Sequence, residues 1–278
     1  MGRDVARNRV IFGGMLRKAF QVTICLGYGI ACGAGQDNPT IRLADEEAMR
    51  IGRRVWQNEC AGTIDGLTSW NSGEQFASMG IGHFIWYPSG EEGPFEESFP
   101  ALLAFLKGRG VALPRVFAGA PDIDCPWSDR GAFLKDFGGQ RMREMREFLA
   151  ATVAEQARYL VLRLERALPK MLEECDGGSR ARVRSGFYRV ANAPGGAYAL
   201  VDYVNFKGEG TNPKERYKGQ GWGLLQVLEN MSDQGDARRA FVASARAMLE
   251  RRVRNSPPER NEARWLKGWL NRVAGYAG

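Results

Sequence analysis

Glu59 and the residues that follow it have the types and spacing that could carry chemistry. Residues 56–88 read WQNECAGTIDGLTSWNSGEQFASMGIGHFIWYP. They hold a carboxylate at the expected end of a helix, then a stretch punctuated by Gly62, Gly66, Asn71 and Gly73. An apolar run built on Gly80-Ile81-Gly82-His83 closes the segment. Acid–base cleavage of an acetal needs a proton donor for the leaving oxygen, together with a carboxylate nucleophile or a base that activates water. A Glu at a helix end, facing a sheet and shielded from water, has a setting that lifts a carboxyl into the donor range. If residues 74–80 are extended, side chains alternate, and Glu74, Phe76, Ser78 and Gly80 share one face. That face would turn a second carboxylate and a hydroxyl toward Glu59. The blander alternative is a solvated Glu beside a Gly-rich hairpin, and spacing alone favours it.

Cys60 adjoins Glu59, so a thiol nucleophile has to be weighed. His83 is the single histidine of the chain. Within GIGHF its stronger reading is a hydrogen-bonded structural residue. The five cysteines, Cys25, Cys32, Cys60, Cys125 and Cys175, show no CxxC pair and no metal-ligand spacing, so neither metal nor cofactor is expected. An oxidising compartment would allow one bridge among the last three.

The elements that must position these groups follow from periodicity. Asp45 is a candidate cap for a helix running to about Glu59, with Met49, Ile51, Val55 and Trp56 as a partial apolar stripe. Residues 61–87 break that period and predict a small antiparallel sheet. Residues 88–100 form an acidic loop, 101–107 a helix, and 110–127 an irregular Pro- and Gly-rich segment. Leu149, Val153, Ala157, Leu160, Leu164 and Leu168 predict one long helix over 140–174, kinked or interrupted at Pro169. Further helices are expected over 179–191, 196–206, 222–231, 237–254 and 259–273.

The 278 residues carry a formal net charge of +7 and include 44% hydrophobic residues, enough for a sizeable core. Residues 1–31 place five cations against Asp4 and leave only +3 for the rest. With no zinc-finger or RNP-type motif, no nucleic-acid partner is expected. Arg17-Lys18, the apolar run 22–31 and the small residues around Ala31 have the order of an export signal, too short to span a bilayer. The expectation is a leader over 1–34, an exported periplasmic or secreted monomer without a transmembrane segment after cleavage, and a weak lipidation signal at Cys32.

The run NECAGTIDGLTSWNSGEQFASMGIGHFIW resembles the Glu, hairpin, T-x-G-x-GH pattern of the phage-type lysozymes (endolysins). In that pattern Glu59 matches the catalytic acid, Gly80, Gly82 and His83 match the tail of the motif, and Ser78 stands at the usual Thr position. The interval is about four residues longer than the pattern's, which puts Ser72 where an Asp belongs. Glu74 is the nearest carboxylate of the right parity, and Asp65 the fallback. Residues 199–209 and 255–269 are more loosely similar to the later helices of those enzymes, and residues 88–139 match nothing in them.

The resemblance implies an α+β, mostly helical, lysozyme-like fold over 42–278, with an α+β lobe over 42–139, a long connecting helix and a helical lobe over 140–278. It implies a hydrolase of the β-1,4 bond in peptidoglycan or a related amino-sugar polymer. Glu59 would be the acid and Glu74 the base or stabiliser, aided by Ser78. Asn205, Glu209, Arg216, Gln220 and Trp222 would bind sugar across the cleft; a solvated loop with Trp222 in the core is the alternative. A rival alignment exists. EGTNPKERYKGQGWGLLQ, from Glu209 to Gln226, is similar to the lytic transglycosylase and goose-type pattern, which would make Glu209 the single acid/base. A chitosanase-like enzyme and an inactive glycan-binding protein on a lysozyme scaffold complete the alternatives.

Overall fold

The computed structural model describes residues 40–117 and 124–278. The segment 1–34 expected to be a leader, with Cys25 and Cys32, lies outside the described residues. The described chain is mostly helical with two small antiparallel sheets.

Helix α1 spans Asp45–Cys60. Asp45, Glu46 and Glu47 place negative charge in its first turn, where the helix dipole favours it. Ala48, Ile51, Gly52 and Val55 form its buried face. Ala61 and Gly62 then adopt positive φ, and the Gly62 N–H returns to the Trp56 carbonyl at 3.2 Å. This left-handed ending satisfies carbonyls that would otherwise lack partners, and it stops the helix one residue after Glu59.

Three short strands follow, β1 (Thr68–Ser69), β2 (Ala77–Met79) and β3 (Phe84–Trp86), antiparallel in the order β1-β2-β3. Thr68 faces Met79, and Ser78 lies between Ser69 and Ile85. Residues 80–83, the GIGH run, are therefore the hairpin turn between β2 and β3. Gly80 has φ +69°, and a Cβ there would overlap Gln156 Oε1, so glycine is required on both counts.

Behind the sheet come α2 (Phe99–Gly108) and α3 (Arg130–Lys135). Sequence periodicity missed α3, a short helix whose cap Asp129 accepts the Ala132 N–H at 2.9 Å. The fully buried Trp86 ring gathers this region, with Phe99, Phe117 and Trp127 at centroid distances of 4.7, 5.9 and 6.2 Å.

The single helix expected over 140–174 is two, α4 (Gln140–Ala151) and α5 (Val153–Glu174). The break falls at Thr152, while Pro169 is carried inside α5 without interrupting it. Side chains join the ladder at the break, where the Thr152 N–H still reaches the Phe148 carbonyl at 3.1 Å. Thr152 Oγ1 donates to the Phe148 carbonyl at 2.9 Å. The fully buried Gln156 gives its amide N–H groups to the Leu149 carbonyl at 2.7 Å and to Thr152 Oγ1 at 2.9 Å. Its Oε1 accepts the Ile81 N–H at 3.0 Å. One buried amide thus ends α4, starts α5 and fixes the GIGH turn.

The remaining helices are α6 (Arg180–Ala191), α7 (Gly196–Lys207), α8 (Leu224–Asn230), α9 (Ala237–Asn255) and α10 (Ala263–Ala274). A hairpin, β4 (Arg216–Tyr217) and β5 (Gln220–Gly221), turns through Lys218 and Gly219, both at positive φ, as a two-residue turn demands. Among the described residues, no helix is long and apolar enough to cross a membrane. Cys60, Cys125 and Cys175 are buried free thiols, so the bridge allowed by sequence is not formed among them.

Candidate active site

The last turn of α1 presents Asn58, Glu59 and Cys60 in three directions. Glu59 pairs with Arg272 of α10: Arg272 Nη2 donates to Glu59 Oε1, across 213 residues of sequence. On its other side Glu59 Oε2 lies 4.0 Å from His83 Nδ1. Both side chains keep solvent access, 20% for Glu59 and 38% for His83. The Arg272 contact shows Glu59 in an ion pair.

Arg272 is held by more than Glu59. Its Nε and Nη2 each reach an oxygen of Asp202, on α7, at 2.8 Å. Asp202 is fully buried, and it also accepts from Asn58 Nδ2 at 3.0 Å and from the Tyr276 hydroxyl. Asn58 Nδ2 bonds the Tyr198 hydroxyl at 2.8 Å as well. Burial opposes the Arg272 charge. The hydrogen bond and charge of Asp202, followed by those of Glu59, outweigh it and hold the guanidinium more firmly protonated than usual. Burial first, then the Asp202 charge, pushes the Tyr276 hydroxyl far up, so it acts as a donor. Phe206 completes the setting, with the Arg272 guanidinium 4.5 Å from its ring centre.

Cys60 Sγ stands 3.8 Å from His83 Nε2 and 3.7 Å from the Gly80 carbonyl. Burial, then the neighbouring Glu59 charge, push its thiol up to about 12. Such a group is a thiol at neutral pH, not a thiolate nucleophile.

The other expected site residues fall in three places. Glu74 lies in the turn before β2, outside the strand, where its Oε2 accepts from Asn71 Nδ2 at 3.1 Å. The extended run that would align Glu74 with Ser78 is limited to residues 77–79, because residues 72–73 form a turn and 75–76 a bend. Among the described residues no hydrogen bond or ion pair joins Glu74 to Glu59. Ser78 is buried in the middle strand, 5% exposed. Asp65 is bound elsewhere, to the buried Arg146 at 2.8 Å. Gly80, Gly82 and His83 form the turn that carries the His83 ring to Glu59.

Glu209 sits in the Gly208-Glu209-Gly210 turn after α7. The turn's backbone is clamped to the start of α8: the Leu224 N–H meets the Gly208 carbonyl at 3.0 Å, and the Leu225 N–H the Glu209 carbonyl at 2.9 Å. A Cβ on Gly223 would collide with Gly210. The Glu209 carboxylate has no hydrogen bond or ion pair among the described residues. Gln220 Oε1 accepts from Asn255 Nδ2 at 3.2 Å, and Arg216 is half-buried in β4. Asn205 Nδ2 is sealed from solvent without a partner. Trp222 is a correction: it is 6% exposed, its ring covered by Tyr217 at 4.7 Å and by the Arg252 guanidinium at 4.0 Å. It packs in the interior and presents no surface for stacking a sugar.

Asn58, Tyr198, Asp202, Arg272 and Tyr276 were not anticipated from the sequence. One signal was present: Asp202 is the lone acid in ALVDYVNF, and a charge inside an apolar helix face needs a partner. Among the described residues, no cluster of His, Cys, Asp or Glu could hold a metal ion. Comparison with protein-family models, curated proteins and solved structures gave no match to this chain.

Proposed function

We propose that the chain is a lysozyme-like glycosidase that cleaves the β-1,4 bond of peptidoglycan or a related amino-sugar polymer, with Glu59 as its catalytic acid. The observation that carries this reading is the setting of Glu59. It is a solvent-reaching carboxylate at the end of α1, between a hairpin-borne His83 and a guanidinium that is anchored independently. Because Asp202 holds Arg272 through two bonds, the guanidinium stays compensated when Glu59 leaves it. As proton donor Glu59 would protonate the leaving oxygen as the glycosidic bond breaks. A water would add to the anomeric carbon and give up the proton that restores the carboxyl, and the carboxylate formed between the two steps would face Arg272. Residues 1–34 serve as the export leader in this reading.

The test is dye release from purified sacculi. Glu59→Gln, which keeps the shape and removes the transferable proton, is expected to lower the rate by about 10²–10⁴-fold. Full activity in that variant would sink the proposal.

A second reading has its own observation. Glu209 projects from a rigid, glycine-clamped turn with its carboxylate unpaired, as a single acid/base of a lytic transglycosylase would. Loss of activity in Glu209→Gln, retention in Glu59→Gln and anhydro-sugar products by mass spectrometry would move the chemistry there. Binding without turnover on either acetylated or deacetylated wall would identify a glycan-binding protein instead.

A further inference from the structure

A cavity of about 450 Å³ opens between α1, α7 and the end of α10. The guanidinium groups of Arg54 and Arg272 line it, together with the amides of Gln57, Asn58 and Asn271 and the Tyr198 ring. Among the described residues no carboxylate lines it. Its size lies within the range of small-molecule pockets.

The two cations differ. Arg272 is compensated by Asp202 and Glu59. Arg54 has no acidic partner among the described residues. Its guanidinium lies 3.9 Å from the centre of the Tyr198 ring. One N–H of its Nη2 goes to the Gly275 carbonyl at 3.2 Å. Stacking and this bond fix the plane of the fork, while further N–H donors are left for a ligand. A fixed, uncompensated guanidinium at a concave wall selects an anion, and a planar fork matches a carboxylate. The amides of Gln57 and Asn271 carry donors and an acceptor, and Asn58, whose two N–H groups are used by Tyr198 and Asp202, keeps its Oδ1 as an acceptor; together they suit hydroxyl groups.

We propose that this cavity binds a carboxylate-bearing monosaccharide, its acid on Arg54 and its hydroxyl groups on Gln57, Asn58 and Asn271. The site is separate from the Glu59 carboxylate and meets it only through the shared Arg272. It stands whether or not Glu59 breaks a glycosidic bond, because binding is measured without turnover.

Isothermal titration of the full chain with N-acetylmuramic acid tests it, with N-acetylglucosamine, which lacks the lactyl carboxylate, as control. N-acetylmuramic acid is expected to bind at least about tenfold more tightly than N-acetylglucosamine, since a charge-assisted bond is at stake. Arg54→Ala should weaken it by a similar factor. Asn271→Asp, an exposed change that adds negative charge to the lining, should do the same and covers any folding defect of the first variant. Glu91→Gln, an exposed change that touches none of the lining, should bind as the wild type does. No binding of N-acetylmuramic acid, equal binding of the two sugars, or unchanged affinity in Arg54→Ala and Asn271→Asp would overturn the proposal.

Discussion

Asp202 explains more of the candidate site than Glu59 does. A carboxylate with no exposure survives in a folded chain only if its lone pairs are used. Here Arg272, Tyr276 and Asn58 use them. Removing one partner of such a pair leaves the other charge uncompensated, at a cost of about 3–5 kcal/mol. Asp202→Ala is therefore expected to lower unfolding free energy in urea by about 3 kcal/mol or more, and Asp202→Asn by less, because an amide still accepts hydrogen bonds. Equal stability of wild type and Asp202→Ala would show that Arg272 finds compensation elsewhere. At this scale Glu59 and His83 could be singled out from the sequence, since both sit in one motif. Arg272 could not, because nothing within α10 distinguishes it from Arg264 or Lys267. Its role arises from a partner 70 residues away.

Elements were readable where the pattern is local and misread where nonlocal side-chain bonds gather at a junction. The ends of α1 and the span of α7 follow from charge, glycine and apolar spacing. The break at Thr152 does not, because the apolar stripe continues through it; a buried Gln156 reaching α4, α5 and the GIGH turn creates it. The junction of β4, α9 and α10 is built in the same nonlocal way, around Glu262. Its 1%-exposed carboxylate accepts from Tyr217 at 2.8 Å and from Arg252 Nε and Nη2 at 2.8 and 2.9 Å. Burial alone would raise the carboxyl. The hydrogen bonds from Arg252 and Tyr217, with the Arg252 charge and the Arg260 bond, prevail and bring it down to about 2. A carboxylate depressed in the folded state stabilises the fold at pH values above its unfolded value near 4.5, and that contribution disappears as pH falls toward about 2. The lost contribution is about 3 kcal/mol. Glu262→Gln should thus be less stable than wild type at pH 7, and the gap should close between about pH 4.5 and pH 2. Urea midpoints of the two proteins across that range check it; a constant gap would mean that Glu262 contributes by shape alone.

For the molecule as a whole, the decisive contacts join its first and last described helices. Glu59 of α1 meets Arg272 of α10, and the fully buried Val273 and the 1%-exposed Tyr276 carry the end of the chain into the common core. The Tyr276 ring packs against Tyr198 of α7 and Phe241 of α9, at centroid distances of 5.9 and 6.1 Å. Contacts of this separation leave no periodic trace, which is why the mostly helical class could be read from sequence while the closure around α10 could not. An appended helix would leave the remainder stable when removed. A helix that supplies the counter-ion of a buried carboxylate and the cover of two aromatic rings would not. A chain ending at Glu262 loses Arg272 and Tyr276 together, so Asp202 keeps only Asn58 among its described partners, and Phe241 and Tyr198 lose the Tyr276 ring. Such a chain is expected to lose the sharp urea transition of tryptophan fluorescence shown by the full chain, at temperatures where Asp202→Asn still retains it. Restoring α10 as a separate peptide is not expected to rescue it at micromolar concentration, since the lost tether costs effective concentration in the millimolar range. A sharp transition in the shortened chain, near the midpoint of the full one, would make α10 a peripheral element and remove the structural reason for placing Arg272 at the centre of the site.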